Sequence, residues 1–509
     1  MKVSIRLLSA FLAMIVLLCC FAACGDKQDD PVDTEGEVTT APDEATVETT
    51  DPNYTDELPE DLNFSNNSSR EITIYAPGDD VHADEFIGDS GSMDVSYAVF
   101  QRNSSVEERL GVVITTRLED KSASNDTAVN AQLEQNYAAS LNEFQIVTSP
   151  TYVATKYVIR GHYANLKAVD HIDLEKYYWS QGFNNVYSYG EDQQYLATGS
   201  AAITLYRLMF VTIYNKQMFA DFNQPDPYTL VKNGEWTLAK QHELAKVFYT
   251  EDGDNTIYGL STGYKICVDP YWVSMDINLI DKNADNQFAS FATNATVRQR
   301  LSDAVDLIRE MYNDNCTTLI PYDQDGMSTE TIKPFYEKRA AMATVMCWHI
   351  EKNLESLGEV ESYAIVPMPK FNNEQDAYYT CLQDQVSAIG IPKTLPNGDL
   401  SMVGAVLECL ASESHKTVVP EYYEKRLKVR YLNDPESSEM MQMIYEGARI
   451  TMGASYTGII LQSANTGFST MMRGLVATQS NVVASTLRQY IGNINDGIKV
   501  LNSSMAALP

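Results

Sequence analysis

Between residues 71 and 149 the chain alternates strand and helix patterns, and this rhythm restricts its fold more than any other feature. "EITIYAP" (71–77) alternates apolar residues, is rich in β-branched side chains and stops at Pro-Gly. In "SYAVFQRNSSVEERL" the apolar residues Tyr97, Phe100, Val106 and Leu110 fall at helical spacing, and Gly111 closes the run. "VVITT" then reads as a strand, "AVNAQLEQNYAASL" (128–141) as an amphipathic helix, and "FQIVTS" (144–149) as a third strand. Strand, helix, strand, helix, strand implies a mostly parallel sheet with helices on both faces and right-handed crossovers.

The rhythm resumes further on. "AAITLYRLMFVTIYNKQMF" is a long apolar run, "EWTLAKQHELAKVFY" a helix begun near Thr237, and "RAAMATVMCW", "YAIVPMP" and "QVSAIGIPK" are strands. After Asn397 the chain reads mainly as helix. No repeat of 20–50 residues is present. The fold class is therefore α/β, with two lobes followed by a helical C-terminal part. A body of about 440 residues is too long for one hydrophobic core, which agrees with two lobes.

The N-terminus predicts location. Lys2 and Arg6 precede an apolar run from Leu7 to Ala23, at the lower limit for spanning a bilayer, and Cys24 follows two alanines. This resembles a bacterial lipoprotein signal, which implies cleavage after residue 23 and acylation of Cys24; Phe21 stands where such signals usually have Leu. Residues 24–68 are rich in Asp, Glu, Thr and Pro and cannot bury enough surface to offset ordering, so they read as an acidic, disordered tether. The expected location is the extracellular face of the cell membrane, held by lipid. Cys19 and Cys20 fall in the discarded run. The formal net charge of −32 excludes a nucleic-acid partner. Five cysteines remain in the body, widely spaced and without C-x-x-C, so neither a metal site nor a cofactor is expected, and buried thiols or one disulfide stay open.

Several stretches together resemble the extracellular solute-binding proteins of family 1, the receptors of ABC importers. "TIYNKQMFADF", "GEWTLAKQHELAKVF", "YEKRAAMATVMCWHIEKNL", "YAIVPMPK" with "QVSAIGIPKTL", and "AVFQRNSSVEERLGVVI" occur in that family's order. The resemblance implies a periplasmic-binding-protein-like fold of two hinged lobes: residues 69–195 plus 385–450 in lobe 1, 205–380 in lobe 2, crossings near 196–212 and 381–391, and C-terminal helices from 451–509 packing across the lobes. It implies a monomer that binds a small-molecule solute, a carbohydrate above all, and passes it to ABC permease subunits.

Sugars expose apolar C–H faces and a ring of hydroxyls, so a sugar site wants aromatic platforms beside carboxylates, amides and Arg. The resemblance places Trp348, past the strand "AAMATVM", where the family stacks an aromatic on sugar; Cys347 stands where a small residue is usual. Asp269 and Tyr271 of "CVDPYWVSM" match the family's acid–Pro–Tyr contact, and Trp272 adds a second platform. Asp79 of "APGDD" matches a ligand-contacting loop. Ser149, Thr151 and Tyr152 follow the third strand, and Ser200 lies with Gly199 where the first crossing begins. Arg207, inside an apolar run, needs a carboxylate, either a ligand's or, the favoured reading, a structural one. Trp236 reads as a structural anchor, "YYWS" (177–180) as surface packing, and "TEDGDNTIYG" as a turn.

No G-x-S-x-G, H-E-x-x-H or P-loop is present, and the six histidines are scattered, so a binding protein rather than an enzyme is expected. The alternatives are a tethered glycoside hydrolase, which would need two carboxylates about 5–10 Å apart, and a receptor that presents ligand to a sensor kinase.

Overall fold

The computed structural model describes residues 55–67, 69–119, 127–321, 330–358, 360, 362–427, 435–464 and 466–509. The signal segment 1–23, Cys24 and most of the tether lie outside the described residues.

The elements in chain order are β1 (Glu71–Pro77), α1 (Val95–Leu110), β2 (Val113–Glu119), α2 (Thr127–Ala139), β3 (Ile146–Pro150), α3 (Thr151–Val158), α4 (Gln181–Tyr187), β4 (Phe210–Asn215), α5 (Leu238–Phe248), β5 (Tyr258–Gly263), α6 (Asp269–Ser274), α7 (Ala295–Asn313), β6 (Thr317–Ile320), β7 (Ala340–Met346), α8 (Cys347–Lys352), β8 (Tyr363–Pro367), β9 (Ser387–Gly390), α9 (Asn397–Lys416), α10 (Pro435–Glu446), α11 (Met452–Ser455), α12 (Thr457–Ile460), α13 (Phe468–Ala477) and α14 (Val483–Ala506), with shorter pieces between them. Local chemistry sets the ends of these elements. The Asp94 carboxylate caps α1 through the Ser96 N–H, and Gly111 ends it at φ 66°. The Thr237 hydroxyl caps α5 through the Lys240 N–H.

Two sheets define two lobes. The first has the order β9-β3-β1-β2 and the second β6-β5-β7-β4-β8. In the first, β1 runs parallel to β2 and β3, while β9 is antiparallel to β3. In the second, β5 is parallel to β6 and β7, while β4 is antiparallel to both β7 and β8. Each sheet thus has a single strand against the rest. Those strands, β4 and β9, are the ones by which the chain enters a sheet from the other lobe.

The two connecting segments lie side by side. Ala197 exchanges backbone hydrogen bonds with Ile389 at 3.0 and 2.7 Å, and the Gln383 N–H donates to the Leu208 carbonyl at 3.0 Å. Gly199 is required there, because a Cβ would stand 2.4 Å from the Tyr178 carbonyl oxygen. The C-terminal helices bridge the lobes: α11 and α12 pack on α3, and α13 packs on α6 and α7.

One side-chain reading changes. "YYWS" is core rather than surface: Tyr178 and Trp179 are buried, and both donate to the Glu408 carboxylate of α9, Trp179 Nε1 at 3.0 Å. That carboxylate, itself pushed up to about 7 by burial, draws the aromatic pair inward. The five body cysteines are all buried thiols. Trp236 is fully buried, and its Nε1 donates to the Pro367 carbonyl at 2.9 Å. Among the described residues no helix is long and apolar enough to cross a membrane.

Candidate functional site

The loop after β1 grips both connecting segments. The Asp79 carboxylate accepts from the Val81 N–H at 2.9 Å and faces His82 Nδ1 at 2.8 Å. His82 Nε2 reaches the Gln385 carbonyl at 2.8 Å. Both ring nitrogens therefore meet groups that only accept, which requires the doubly protonated imidazolium. Burial opposes that charge, but the hydrogen bond to Asp79 and the field of Glu85 raise His82 above its ordinary 6.5. Glu85, fully buried and raised by desolvation, accepts from the Thr204 N–H (2.8 Å) and hydroxyl (2.5 Å) and from the Ser387 hydroxyl (2.6 Å), one residue on each connection.

A group whose pKa is raised on folding contributes stability below its unfolded value and loses it as pH rises through the folded value. His82→Gln is therefore expected to destabilise most below pH 6.5, and the gap from wild type should close at alkaline pH. Urea unfolding of both chains across pH checks this; a gap independent of pH would contradict it.

Next to this loop, charge runs across the lobes. The Arg207 guanidinium donates to both oxygens of Asp84, in lobe 1, and of Glu351, in α8 of lobe 2, and to the Val81 carbonyl at 2.8 Å. Arg426 extends the chain to Glu351 at 2.6 Å and Asp94 at 2.8 Å. Arg207 thus finds structural carboxylates. Trp348 is buried, with the Arg207 guanidinium 5.3 Å and the Lys352 ammonium 4.3 Å from its ring centre.

The remaining candidate residues divide into two groups. Ser149 is buried and accepts from Asn130 Nδ2 at 2.7 Å; Thr151 donates to the Asp384 carbonyl at 2.7 Å. Ser200 is buried, 2.8 Å from the Tyr206 hydroxyl and 3.3 Å from His415 Nδ1. Tyr271 is buried with its hydroxyl 3.2 Å from Thr344 Oγ1, and Tyr152 is half-buried in the first turn of α3. Asp269 and Trp272 are the two that come together at open space. They line a small cavity of about 40 Å³ with Phe210, Gln383, Thr451 and Phe468. Asp269 holds Arg473 of α13 through a two-point ion pair, Oδ1 to Nε at 2.9 Å. Trp272 is 4% exposed, and its buried Nε1–H has no hydrogen-bond partner among the described residues.

This cavity shares Asn278, Ile280 and Thr451 with a larger one of about 570 Å³. The second space lies between α4 of lobe 1, residues 273–286 of lobe 2 and the segment 449–452. Its walls are rich in amides and charges: Asn184, Asn185, Asn278, Asn286, Lys282 and Arg449 among them. Burial brings the Lys282 ammonium down to about 7. Pockets of roughly 300–1,000 Å³ suit small organic ligands. No sequence motif marks these residues, although two of the segments are amide-dense, "QGFNN" (181–185) and "NADNQ" (283–287).

Comparison with known proteins gives fold without close kinship. No family model and no curated protein matches the chain. Among solved structures, the GacH receptor of Streptomyces glaucescens, known unliganded and with acarbose, is 13% identical at a TM-score of 0.52, over 84% of this chain and 99% of that one. A cyclo/maltodextrin-binding protein complexed with maltotetraose is 13% identical at a TM-score of 0.51, over 86% and 98%. An ABC substrate-binding protein from Listeria monocytogenes, in complex with cycloalternan, is 14% identical at a TM-score of 0.50, over 85% and 99%. The chain therefore has the two-lobe fold of these binding proteins.

Proposed function

We propose that this chain is an extracellular solute-binding protein, lipid-anchored through Cys24, that captures a carbohydrate or oligosaccharide between its lobes and delivers it to an ABC permease. The observation that carries the reading is the pair of adjoining cavities, sharing Asn278, Ile280 and Thr451, where both lobes and the C-terminal segment meet. It is supported by the ligands of similar folds, which include acarbose, cycloalternan and maltotetraose. The larger space would take hydroxyls on its amides and charges. Trp272 would supply an apolar face and an unused N–H donor beside Asp269. The hinge logic is that contacts to both lobes favour the closed form, which the permease then reads. The anchor rests on the sequence of residues 1–24.

A thermal-shift screen across mono- and oligosaccharides tests this. A ligand at 100 times its dissociation constant adds about 2.7 kcal/mol of stability, so a sugar that fits raises the melting temperature. If no sugar does so while an amino acid, peptide or polyamine does, the carbohydrate reading fails.

A further inference from the structure

Lobe 2 carries a second constellation, apart from the cavities, at the C-terminal end of α7. His242 of α5 presents Nε2 to Asp314 Oδ2 at 3.0 Å and Nδ1 toward Glu310 Oε1 at 3.9 Å. Cys316 completes the group: one ligand atom each from His242, Asp314 and Cys316 lies within 4.8 Å of the others. His242 and Cys316 are buried, and the Cys316 N–H fixes the Asp314 carboxylate through Oδ1 at 3.2 Å. Sequence spacing hides the site, because His242 precedes Asp314 by 72 residues.

We propose that His242, Asp314 and Cys316 form a binding site for zinc or a chemically similar divalent transition ion. An imidazole nitrogen, a carboxylate oxygen and a sulfur are the donor set of such ions, whereas the thiol disfavours calcium and magnesium. Tetrahedral zinc holds N and S ligands about 3.5 Å apart. The His–Asp pair is already close enough, and rotation of the Cys316 side chain closes the rest. Glu310 Oε1, 3.9 Å from the far ring nitrogen, is placed to close on it as a carboxylate does when it orients a metal-bound histidine. Lys246 is 3.6 Å from Asp314 and 3.8 Å from Glu310, half-exposed on a flexible stem. It balances the acids without metal and swings into solvent when metal enters. On coordination the Cys316 thiol gives its proton to solvent and the sulfur bonds the ion; nothing is oxidised or reduced. Solvent fills the fourth position, and the ion ties α5 to the start of β6.

Titration of the full chain with Co(II), read by absorbance, tests the site. The expected result is one equivalent bound with a sulfur-to-cobalt charge-transfer band in the near ultraviolet, displaced by zinc. Cys316→Ser should remove the band and His242→Ala should abolish tight binding. Two substitutions at exposed positions avoid any question of folding: Glu310→Gln should weaken binding about 10–100-fold, and Lys246→Met should tighten it. The proposal is overturned if the wild-type chain shows no such band, if the band survives in Cys316→Ser, or if Glu310→Gln and Lys246→Met both leave affinity unchanged.

Discussion

Replacing Arg207 by leucine is expected to destabilise the fold by about 3–5 kcal/mol, seen as a lower urea midpoint. The side chain is 1% exposed and faces Glu351, itself 4% exposed, and Asp84. Leucine is shorter than arginine and leaves buried Glu351 and part-exposed Asp84 without their main counter-charge, and charge buried without a partner is the costly case. Arg426 still reaches Glu351 at 2.6 Å but Asp84 only at 3.9 Å, so Asp84 keeps the weaker partner. Arg207→Lys keeps the charge but not the fork that engages two carboxylates at once, and should fall between wild type and leucine. Because the network joins the loop after β1 to α8, loss of Arg207 should also loosen the lobes. A midpoint within error of wild type would show that the network contributes nothing net.

The second large effect is on binding and separates affinity from stability. Trp272→Phe keeps an aromatic ring but removes the indole N–H, which has no partner among the described residues, together with the atoms of the second ring. A buried donor without a partner costs about 1–3 kcal/mol, and its removal offsets part of the cavity that the smaller ring leaves, so the ligand-free variant should lose only modest stability. If that N–H waits for a ligand oxygen, affinity should fall about tenfold or more, a loss of about 1.4 kcal/mol. Calorimetry with the sugar from the thermal screen reads the affinity, and urea unfolding reads the stability. Unchanged affinity would remove the Trp272 N–H from the site.

The local architecture was legible wherever a short window carries the physics. Alternation in "EITIYAP", the cap at Thr237 and the glycine after Leu110 each act over a few residues, and the corresponding elements fall within a few residues of their expected ends. Arg207 was legible as a residue needing a carboxylate. Its partners were not, because Asp84 and Glu351 lie 123 and 144 positions away. The same limit hid the burial of Tyr178 and Trp179, which follows from Glu408 some 230 positions on. Trp348 sits in the first turn of α8, just past β7, as the resemblance implied. The cations packed against its ring come from Arg207, on a distant segment, and from Lys352, one helical turn on, whose side-chain direction no pattern fixes. The walls of the larger cavity belong to three separated segments, and only the density of amides marks two of them.

Capture of a carbohydrate is tested most directly by calorimetric titration of the wild-type chain with a graded series of oligosaccharides. One oligosaccharide is expected to bind saturably per chain, with binding lost when amide or charged side chains of the larger cavity, Asn184, Asn286 and Arg449, are replaced. Heats indistinguishable from dilution for every sugar, with a saturable signal for an amino acid, peptide or polyamine, would contradict it.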